Sequence, residues 1–461
     1  MTLIKSISGI RGTIGGKEGE NLSPQDIVKF TSAYHLFLQE SAEKEKLRIV
    51  IGRDARISGQ IVSNIISSVL QSLGADVIDL GLSTTPTVEM AVGYHKADGG
   101  IIITASHNPK EWNALKLLNN KGEFLNAAEG KTVIEYAEKA AFSYAEVNKL
   151  GTYTKDTDAI DKHIQDILSL DIVDKKAIGN ANFSIAVDNI NSTGGIAIPK
   201  LMEALGVMEV QYINNDVSGD FAHNPEPLPQ HLQEISTLIK QEKMDVGFVV
   251  DPDVDRLAIV MENGEMFGEE YTLVAVADYV LQQQKGNTVS NLSSSRALKD
   301  ISKLHGVEYQ ASAVGEVNVV QLMKETNAVI GGEGNGGIIY PTLHYGRDAL
   351  VGIALFLSHL AKSALTVSEM KNSLPQYHIA KHKIALAEGI NIDNIIKAVA
   401  EKYAANPQNT EDGLRIDFEK EWVHLRKSNT EPIIRIYAES SSIEKAEHLA
   451  KNIMANILSL Q

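Results

Sequence analysis

Six residues, Asp-Pro-Asp-Val-Asp-Arg from Asp251 to Arg256, gather three carboxylates and a guanidinium between two apolar runs, Val-Gly-Phe-Val-Val before and Leu-Ala-Ile-Val after. In an extended chain the spacing i, i+2, i+4 points all three carboxylates to one side. Like charges so placed repel one another unless a cation sits among them. Hard oxygen ligands suit Mg²⁺, which also takes phosphate or water oxygens. An EF-hand loop would use Asp251, Asp253, Asp255 and Glu262, but Arg256 stands where that loop needs glycine, and both flanks read as strands. The expectation is a catalytic metal loop. A solvated acidic turn is the alternative, and the apolar flanks disfavour it.

A second stretch, Thr-Ala-Ser-His-Asn-Pro (Thr104 to Pro109), follows the run Ile101-Ile102-Ile103. A catalytic Ser-His dyad does not fit, because neighbouring side chains diverge and the base of a triad comes from elsewhere in the chain. A nucleophile elbow needs Gly-x-Ser-x-Gly, and both glycines are missing. The remaining reading is a serine, Ser106, that carries a phosphoryl group near the Asp-rich loop. Ten residues on, Lys116 in Trp-Asn-Ala-Leu-Lys is placed to serve as base or acid.

Two weaker signals complete the set. Gly-Gly-Glu-Gly-Asn-Gly-Gly (Gly331 to Gly337) lets backbone approach a ligand, with Glu333 and Asn335 offering contacts to hydroxyls. It matches neither the dinucleotide fingerprint nor the phosphate loop ending in Lys-Ser/Thr, and alone it reads equally as a turn. Arg-Lys-Ser-Asn-Thr-Glu-Pro-Ile-Ile-Arg-Ile (Arg426 to Ile436) combines Arg426, Lys427 and Arg435 with the short donors Ser428, Asn429 and Thr430. That is an anion cradle, or else a surface turn with a solvated arginine.

The elements that must position these loops recur. Leu47 to Gly81, Phe183 to Ile213 and Asn287 to Gly315 each read as a β-branched run, a polar Ser/Thr loop, an amphipathic helix ending at glycine (Gly74, Gly206, Gly306), and a second β-branched run. Such units predict parallel crossovers, sheets covered by helices, and internal triplication. Beyond about residue 375 short alternating strands and two amphipathic helices predict a smaller α+β domain. The expected divisions are residues 1–150, 151–258, 259–372 and 373–461.

Composition narrows the partners. A net charge of −16 argues against nucleic acid or an anionic membrane as partner, while a local Arg/Lys cluster still admits an anionic small molecule. Zero cysteines exclude disulfides, thiolate metal sites and a Cys nucleophile, and fit a cytoplasmic location. No apolar stretch approaches a membrane span, and the N-terminus lacks the apolar core of a signal peptide.

Taken together, in the order serine loop, metal loop, sugar loop, phosphate loop, and starting from Ser-Gly-Ile-Arg-Gly (Ser8 to Gly12), the chain resembles the α-D-phosphohexomutase family along essentially its whole length. The resemblance implies three related α/β domains with mixed sheets covered by helices, then a smaller α+β domain. It implies a phosphorylated Ser106 that completes a Mg²⁺ site with Asp251, Asp253 and Asp255. Lys116 and His107 would assist proton transfer, and Arg11 and Arg256 would orient phosphate and the serine loop. Glu333 and Asn335 would hold sugar hydroxyls, and Arg426, Ser428, Asn429, Thr430 and Arg435 the non-reacting phosphate. The implied ligands are a sugar phosphate and a sugar 1,6-bisphosphate, and the implied assembly is a monomer or homodimer.

Some positions depart from the common pattern. Asn335 and Gly337 stand where many members have Ser and His, Glu316 where several glucose and mannose mutases have His, and Lys427 and Asn429 where Pro and Gly are common. The combination is most similar to the archaeal-type branch usually labelled phosphoglucosamine mutase, with Glu316 suited to a 2-ammonium sugar or equally to neutral hydroxyls. Phosphoglucomutase or phosphomannomutase activity, a metal-dependent phosphomonoesterase, and a non-catalytic sugar-phosphate binder are the alternatives. The intact set of Ser106, Lys116 and the three aspartates speaks against the last.

Overall fold

The computed structural model of the chain describes residues 2–6, 9–385, 391–427 and 433–459; Ser8 and the cradle residues Ser428, Asn429 and Thr430 lie outside them. The chain forms two compact units, residues 1–272 with 335–369, and residues 273–334 with 370–461.

In the first unit a sheet of seven described strands is built on Arg48–Arg53 and Gly99–Ile103, which run parallel. Asp76–Leu82 and Tyr153–Lys155 extend it in parallel on one side, while Trp112–Leu118, Gly9–Thr13 and Ile4–Ser6 add antiparallel strands on the other. Ile49, Val50, Ile51, Ile101, Ile102 and Ile103 are all fully buried, the mark of a sheet covered on both faces. A second sheet runs Leu257–Met261, Val246–Val250, Ser184–Asp188, Glu209–Ile213, antiparallel at its first pair and parallel beyond.

The predicted recurring unit is present three times. Arg48–Arg53 pairs in parallel with Asp76–Leu82, Ser184–Asp188 with Glu209–Ile213, and, in the second unit, Thr288–Asn291 with Tyr309–Ser312. Gly74, Gly206 and Gly306 follow the intervening helices at φ 89°, 80° and 70°. Only glycine takes that left-handed conformation without steric cost, so it ends each helix and returns the chain to the sheet.

The apolar stretch from Val351 to Ala361 lies in the helix Ala349–Ser363, buried from Ala349 to Leu360. Phe356 packs edge-on against Phe248 and Phe267, with ring centroids 6.0 and 5.5 Å away. Among the described residues no single helix is long and apolar enough to cross a membrane.

The second unit holds the parallel strands Tyr309–Ser312, Thr288–Asn291 and Ile330–Glu333, and a C-terminal antiparallel sheet in the order His378–Ala385, Ile433–Ser440, Trp422–Lys427, Leu414–Asp417, Gln408–Asn409. The helices Ile392–Lys402 and Ile443–Leu458 contribute to its core, the latter capped by Ser442, whose side chain accepts from the Lys445 amide. The fold is therefore α/β, with mixed sheets covered by helices and a smaller C-terminal domain.

Candidate active site

The aspartate loop joins the ends of Val246–Val250 and Leu257–Met261. It is a turn and not the extended segment its spacing predicts: the Val254 amide donates to the Asp251 carbonyl at 3.0 Å, and Val254 sits at φ 61°. That conformation is costly for a β-branched residue and persists only where the surroundings enforce it. The turn still brings one oxygen of each of Asp251, Asp253 and Asp255 to within 4.8 Å of the others, and all three residues are fully buried. Side-chain convergence thus comes from a tight turn rather than from strand alternation.

Each carboxylate has its own restraint. Asp251 Oδ1 accepts from the amides of Asp255 and Arg256, both at 3.1 Å, and its Oδ2 accepts from Ser106 Oγ at 2.8 Å. Asp253 Oδ2 accepts from Thr85 Oγ1 at 2.6 Å and from Lys116 Nζ at 2.7 Å. Asp255 Oδ2 accepts from Arg347 Nη2 at 2.7 Å and lies 3.6 Å from Lys116 Nζ, while Arg256 Nε is 3.9 Å from Asp255 Oδ1. The buried atoms Asp253 Oδ1 and Asp255 Oδ1 have no hydrogen-bond partner among the described residues. Two orphaned buried oxygens beside a third carboxylate are the donor set a hard divalent cation requires.

Ser106 follows the strand Gly99–Ile103 and, like Val254, is left-handed, at φ 48°. Its turn is closed by the Asn108 amide donating to the Ala105 carbonyl at 3.0 Å, so the bend lies at Ser106 and His107 themselves, one step before Asn108-Pro109. Arg56, 1% exposed, holds this loop from behind. Its guanidinium donates to the carbonyls of Ser106, Asn108, Pro109 and Trp112, and its Nε donates to Asp54 Oδ2 at 3.0 Å. The planar fork of arginine matches such a set, as a lysine ammonium cannot.

The charges explain the titration of the cluster. Burial, then repulsion by Asp255 and Asp253, pushes Asp251 well above the usual carboxylate range. Burial would raise Asp253 too, but Lys116 and Thr85 hold it below that range. Lys116 is raised, since Asp253 and Asp255 outweigh the effect of burial, so it is an ammonium here. Burial, then Arg256, lowers His107 to about 2, leaving a neutral ring whose Nδ1 is 3.4 Å from Ser106 Oγ. Arg11 pairs in register with Ala114 and so projects from the same sheet face as Lys116.

In the glycine-rich loop, Asn335 Oδ1 accepts from the Gly337 amide at 3.2 Å, and the Gly336 carbonyl accepts from the Leu257 amide at 3.0 Å. A Cβ at Gly337 would lie 2.3 Å from Arg347 Cδ. Glycine here makes room for the arginine that reaches Asp255, which gives the departure at Gly337 a physical reason.

The division between units falls between Gly334 and Asn335, which leaves Gly331 to Gly334 of the loop in the second unit. There Glu333, at the end of its strand, accepts through Oε1 from Asn291 Nδ2 at 2.9 Å and from the Gly315 amide at 3.1 Å. Glu316, the next residue, begins the helix Glu316–Thr326 and is 8% exposed. Arg426 lies 2.8 Å from Asp412, and Arg435 is exposed between the buried Ile434 and Ile436 on the paired strand.

Sequence reasoning missed Arg56, Arg347 and Thr85. Arg56 carried a signal, a charged Asp-Ala-Arg directly after a buried strand in the first recurring unit. Arg347 carried another, a charged pair at the entry to an apolar helix. Thr85 carried none.

Two outcomes follow. A metal held by the three aspartates would require Asp251 deprotonated, so a rise in melting temperature induced by Mg²⁺ is expected to shrink as pH falls, starting above the ordinary aspartate value of about 3.9. In EDTA the sign reverses: a carboxyl raised by folding favours the fold at low pH and loses that contribution as pH rises through its folded value. Asp251→Asn therefore melts higher than the wild type in EDTA at neutral pH and shows no Mg²⁺ shift; an unchanged Mg²⁺ shift contradicts this. Arg56→Met leaves Asp54 buried without its cation and is expected to cost ~3–5 kcal/mol in urea unfolding.

Comparison with known proteins gives the family. Four profiles of phosphoglucomutase/phosphomannomutase match in order: alpha/beta/alpha domain I over residues 3–144, domain II over 161–264, domain III over 268–377, and the C-terminal domain over 383–456. A Thermococcus kodakarensis protein named phosphoglucomutase/phosphomannomutase is 35% identical, over 94% of this chain and 95% of its own. A Sulfurisphaera tokodaii phosphoglucosamine/phosphogalactosamine mutase is 30% identical, over 97% and 96%. The fold is that of a phosphoglucomutase/phosphomannomutase family protein of Burkholderia thailandensis, with a TM-score of 0.83 at 23% identity over 100% of this chain and 98% of the other. The chain belongs to the phosphoglucomutase/phosphomannomutase family, metal-dependent phosphohexomutases built from three α/β domains and a C-terminal domain, and is an isomerase of that class.

Proposed function

We propose that the chain interconverts a hexosamine 6-phosphate and 1-phosphate, with glucosamine phosphate as substrate, through a phosphorylated Ser106 and a sugar 1,6-bisphosphate. The approach of Ser106 Oγ to Asp251 at 2.8 Å, beside two orphaned carboxylate oxygens, carries the reading. Asp251, Asp253, Asp255 and the phosphoryl group of Ser106 would hold Mg²⁺, which when bound supplies charge neutralisation to the phosphoryl oxygens.

The chain's own part is positioning and charge. The P–Oγ bond of phospho-Ser106 breaks as a bond forms from phosphorus to a sugar hydroxyl, and the hydroxyl proton ends on Ser106 Oγ. After the bisphosphate turns end over end, the other phosphate returns to Ser106 by the reverse step. Lys116, held as an ammonium by Asp253, acts as proton donor and charge rather than as a base in this form. His107, held neutral, hydrogen-bonds at the serine. Arg11, Arg256 and Arg347 orient phosphate and the serine loop. Arg347 adds to this set through its bond to Asp255.

Glu333 and Asn335 take sugar hydroxyls, and Arg426, Ser428, Asn429, Thr430 and Arg435 the distal phosphate. The substrate choice rests on Glu333, which accepts from the Gly315 amide, and on Glu316, the next residue in the chain, as acidic groups suited to an ammonium at C2. The divisions at residues 150, 258 and 372 separate the four loops in this proposal.

A coupled assay primed with a sugar 1,6-bisphosphate tests it. Glucosamine phosphate is expected to give the highest kcat/KM, with glucose and mannose phosphates lower; the reverse order selects phosphoglucomutase/phosphomannomutase activity. Release of free phosphate in place of isomer would select a phosphomonoesterase. Ser106→Ala is expected to lose turnover by at least ~10³-fold, as a nucleophile should. Asn291→Ala, which removes one of the hydrogen bonds that hold Glu333, is expected to raise KM for the sugar ~10-fold with a smaller change in kcat.

A further inference from the structure

Away from the serine, the first unit holds a second set of ligand-type side chains, His163 and Asp348 buried and His344 partly so. His163 lies in the helix Ala159–Leu168, Glu89 and Thr87 in the helix Thr85–Tyr94, and His344 and Asp348 in the segment entering the helix Ala349–Ser363. His163 Nε2 is 2.9 Å and His344 Nε2 is 3.4 Å from one and the same atom, Asp348 Oδ2. One ligand atom from each of the three residues lies within 4.8 Å of the others.

The remaining atoms of these groups are occupied in a way that aims the three inward. Asp348 Oδ1 accepts from the amides of Leu350 and Val351 at 2.8 and 3.3 Å, so Oδ2 is the oxygen turned to the two rings. His163 Nδ1 meets Thr87 Oγ1 at 2.9 Å, and that hydroxyl is 2.7 Å from Thr84 Oγ1. His344 Nδ1 meets Glu89 Oε2 at 3.3 Å. Gly346 lets the segment press on this glutamate, for a Cβ there would fall 1.8 Å from Glu89 Oε2. A ring nitrogen bonded to a carboxylate or hydroxyl while its other nitrogen faces inward is how metal-binding histidines are oriented.

We propose that His163, His344 and Asp348 form a site for a borderline divalent cation such as Zn²⁺ or Co²⁺, with Glu89 and Thr87 orienting the two rings. Two imidazoles and one carboxylate select such ions over Mg²⁺, which prefers oxygen ligands, so this site and the aspartate loop differ in chemistry. In the metal-free chain His344 bridges Glu89 and Asp348 as an imidazolium. Burial would lower it, but hydrogen bonds to Asp348 and Glu89 and their charges push it up to about 10. Binding displaces that proton from His344. The ion cross-links three segments distant in sequence. It also fixes the residue next to Asp348, Arg347, which holds Asp255.

The full-length chain, stripped with EDTA and dialysed, is titrated with Co²⁺ under millimolar Mg²⁺, which occupies the aspartate loop. One equivalent of Co²⁺ is expected to bind with the intense visible absorption of low-coordinate nitrogen–oxygen ligation. Zn²⁺ is expected to displace it and to raise the melting temperature. Glu89→Gln is expected to weaken binding ~10–100-fold, and His344→Gln to abolish the absorption with the circular dichroism spectrum kept. A wild-type chain that binds no Co²⁺ beyond what Mg²⁺ displaces overturns the proposal, and this arm needs no variant to fold. Equal Co²⁺ affinity in folded His344→Gln overturns it as well.

Discussion

Three carboxylates shut away from water must be answered by positive charge, and the surroundings of Ser106 follow from that need. Isolated ionised groups in a dry interior are costly enough that they either pair or take up a proton. Here both outcomes occur: Lys116 holds Asp253 ionised, while Asp251, buried and repelled by Asp255 and Asp253, is pushed toward the protonated form. Lys116, Arg347 and Arg256 set three cations against three aspartates. In the proposed phosphoenzyme a phosphoryl group on Ser106 would bring a charge of about −1.5 to −2, which a divalent cation would nearly cancel.

Holding that arrangement takes loops from separate elements. The serine and aspartate loops both follow the ends of buried strands, where open α/β sheets place their ligands. Ser192 and Thr193 hydroxyls donate to the Pro252 carbonyl at 2.7 and 2.8 Å, and the Ala55 amide donates to Ser192 Oγ at 3.3 Å, so Ser192 ties the segment carrying Arg56 to the segment carrying the aspartates. The two left-handed residues, Ser106 and Val254, are the strain this tie supports.

Much of this was legible in the sequence because it is local. The recurring strand–helix–strand units are periodic, and their closing glycines, Gly74, Gly206 and Gly306, have the positive φ that made them recognisable. Ser106, Lys116 and the aspartates stood out because polar groups after apolar runs are hard to explain otherwise. The geometry of the aspartate loop was misjudged, since nothing in Asp-Pro-Asp-Val-Asp announces that Val254 will adopt a conformation β-branched residues avoid. Thr85 and Asp253 are 168 positions apart, and Arg347 and Asp255 are 92 apart; such pairings exist only once the chain has folded. Gly337 read as a departure from a pattern, and its reason is the stem of Arg347.

The central claim is that Ser106 is the residue through which the phosphoryl group passes, in the field of the aspartate loop. The direct measurement is transfer of ³²P from a labelled sugar 1,6-bisphosphate to the protein, with Mg²⁺ and with EDTA, followed by mapping of the labelled peptide. The account predicts label on the peptide containing Ser106 in Mg²⁺ and essentially none in EDTA. Label on another residue, or mutase turnover with no label on Ser106 at any time, would contradict it.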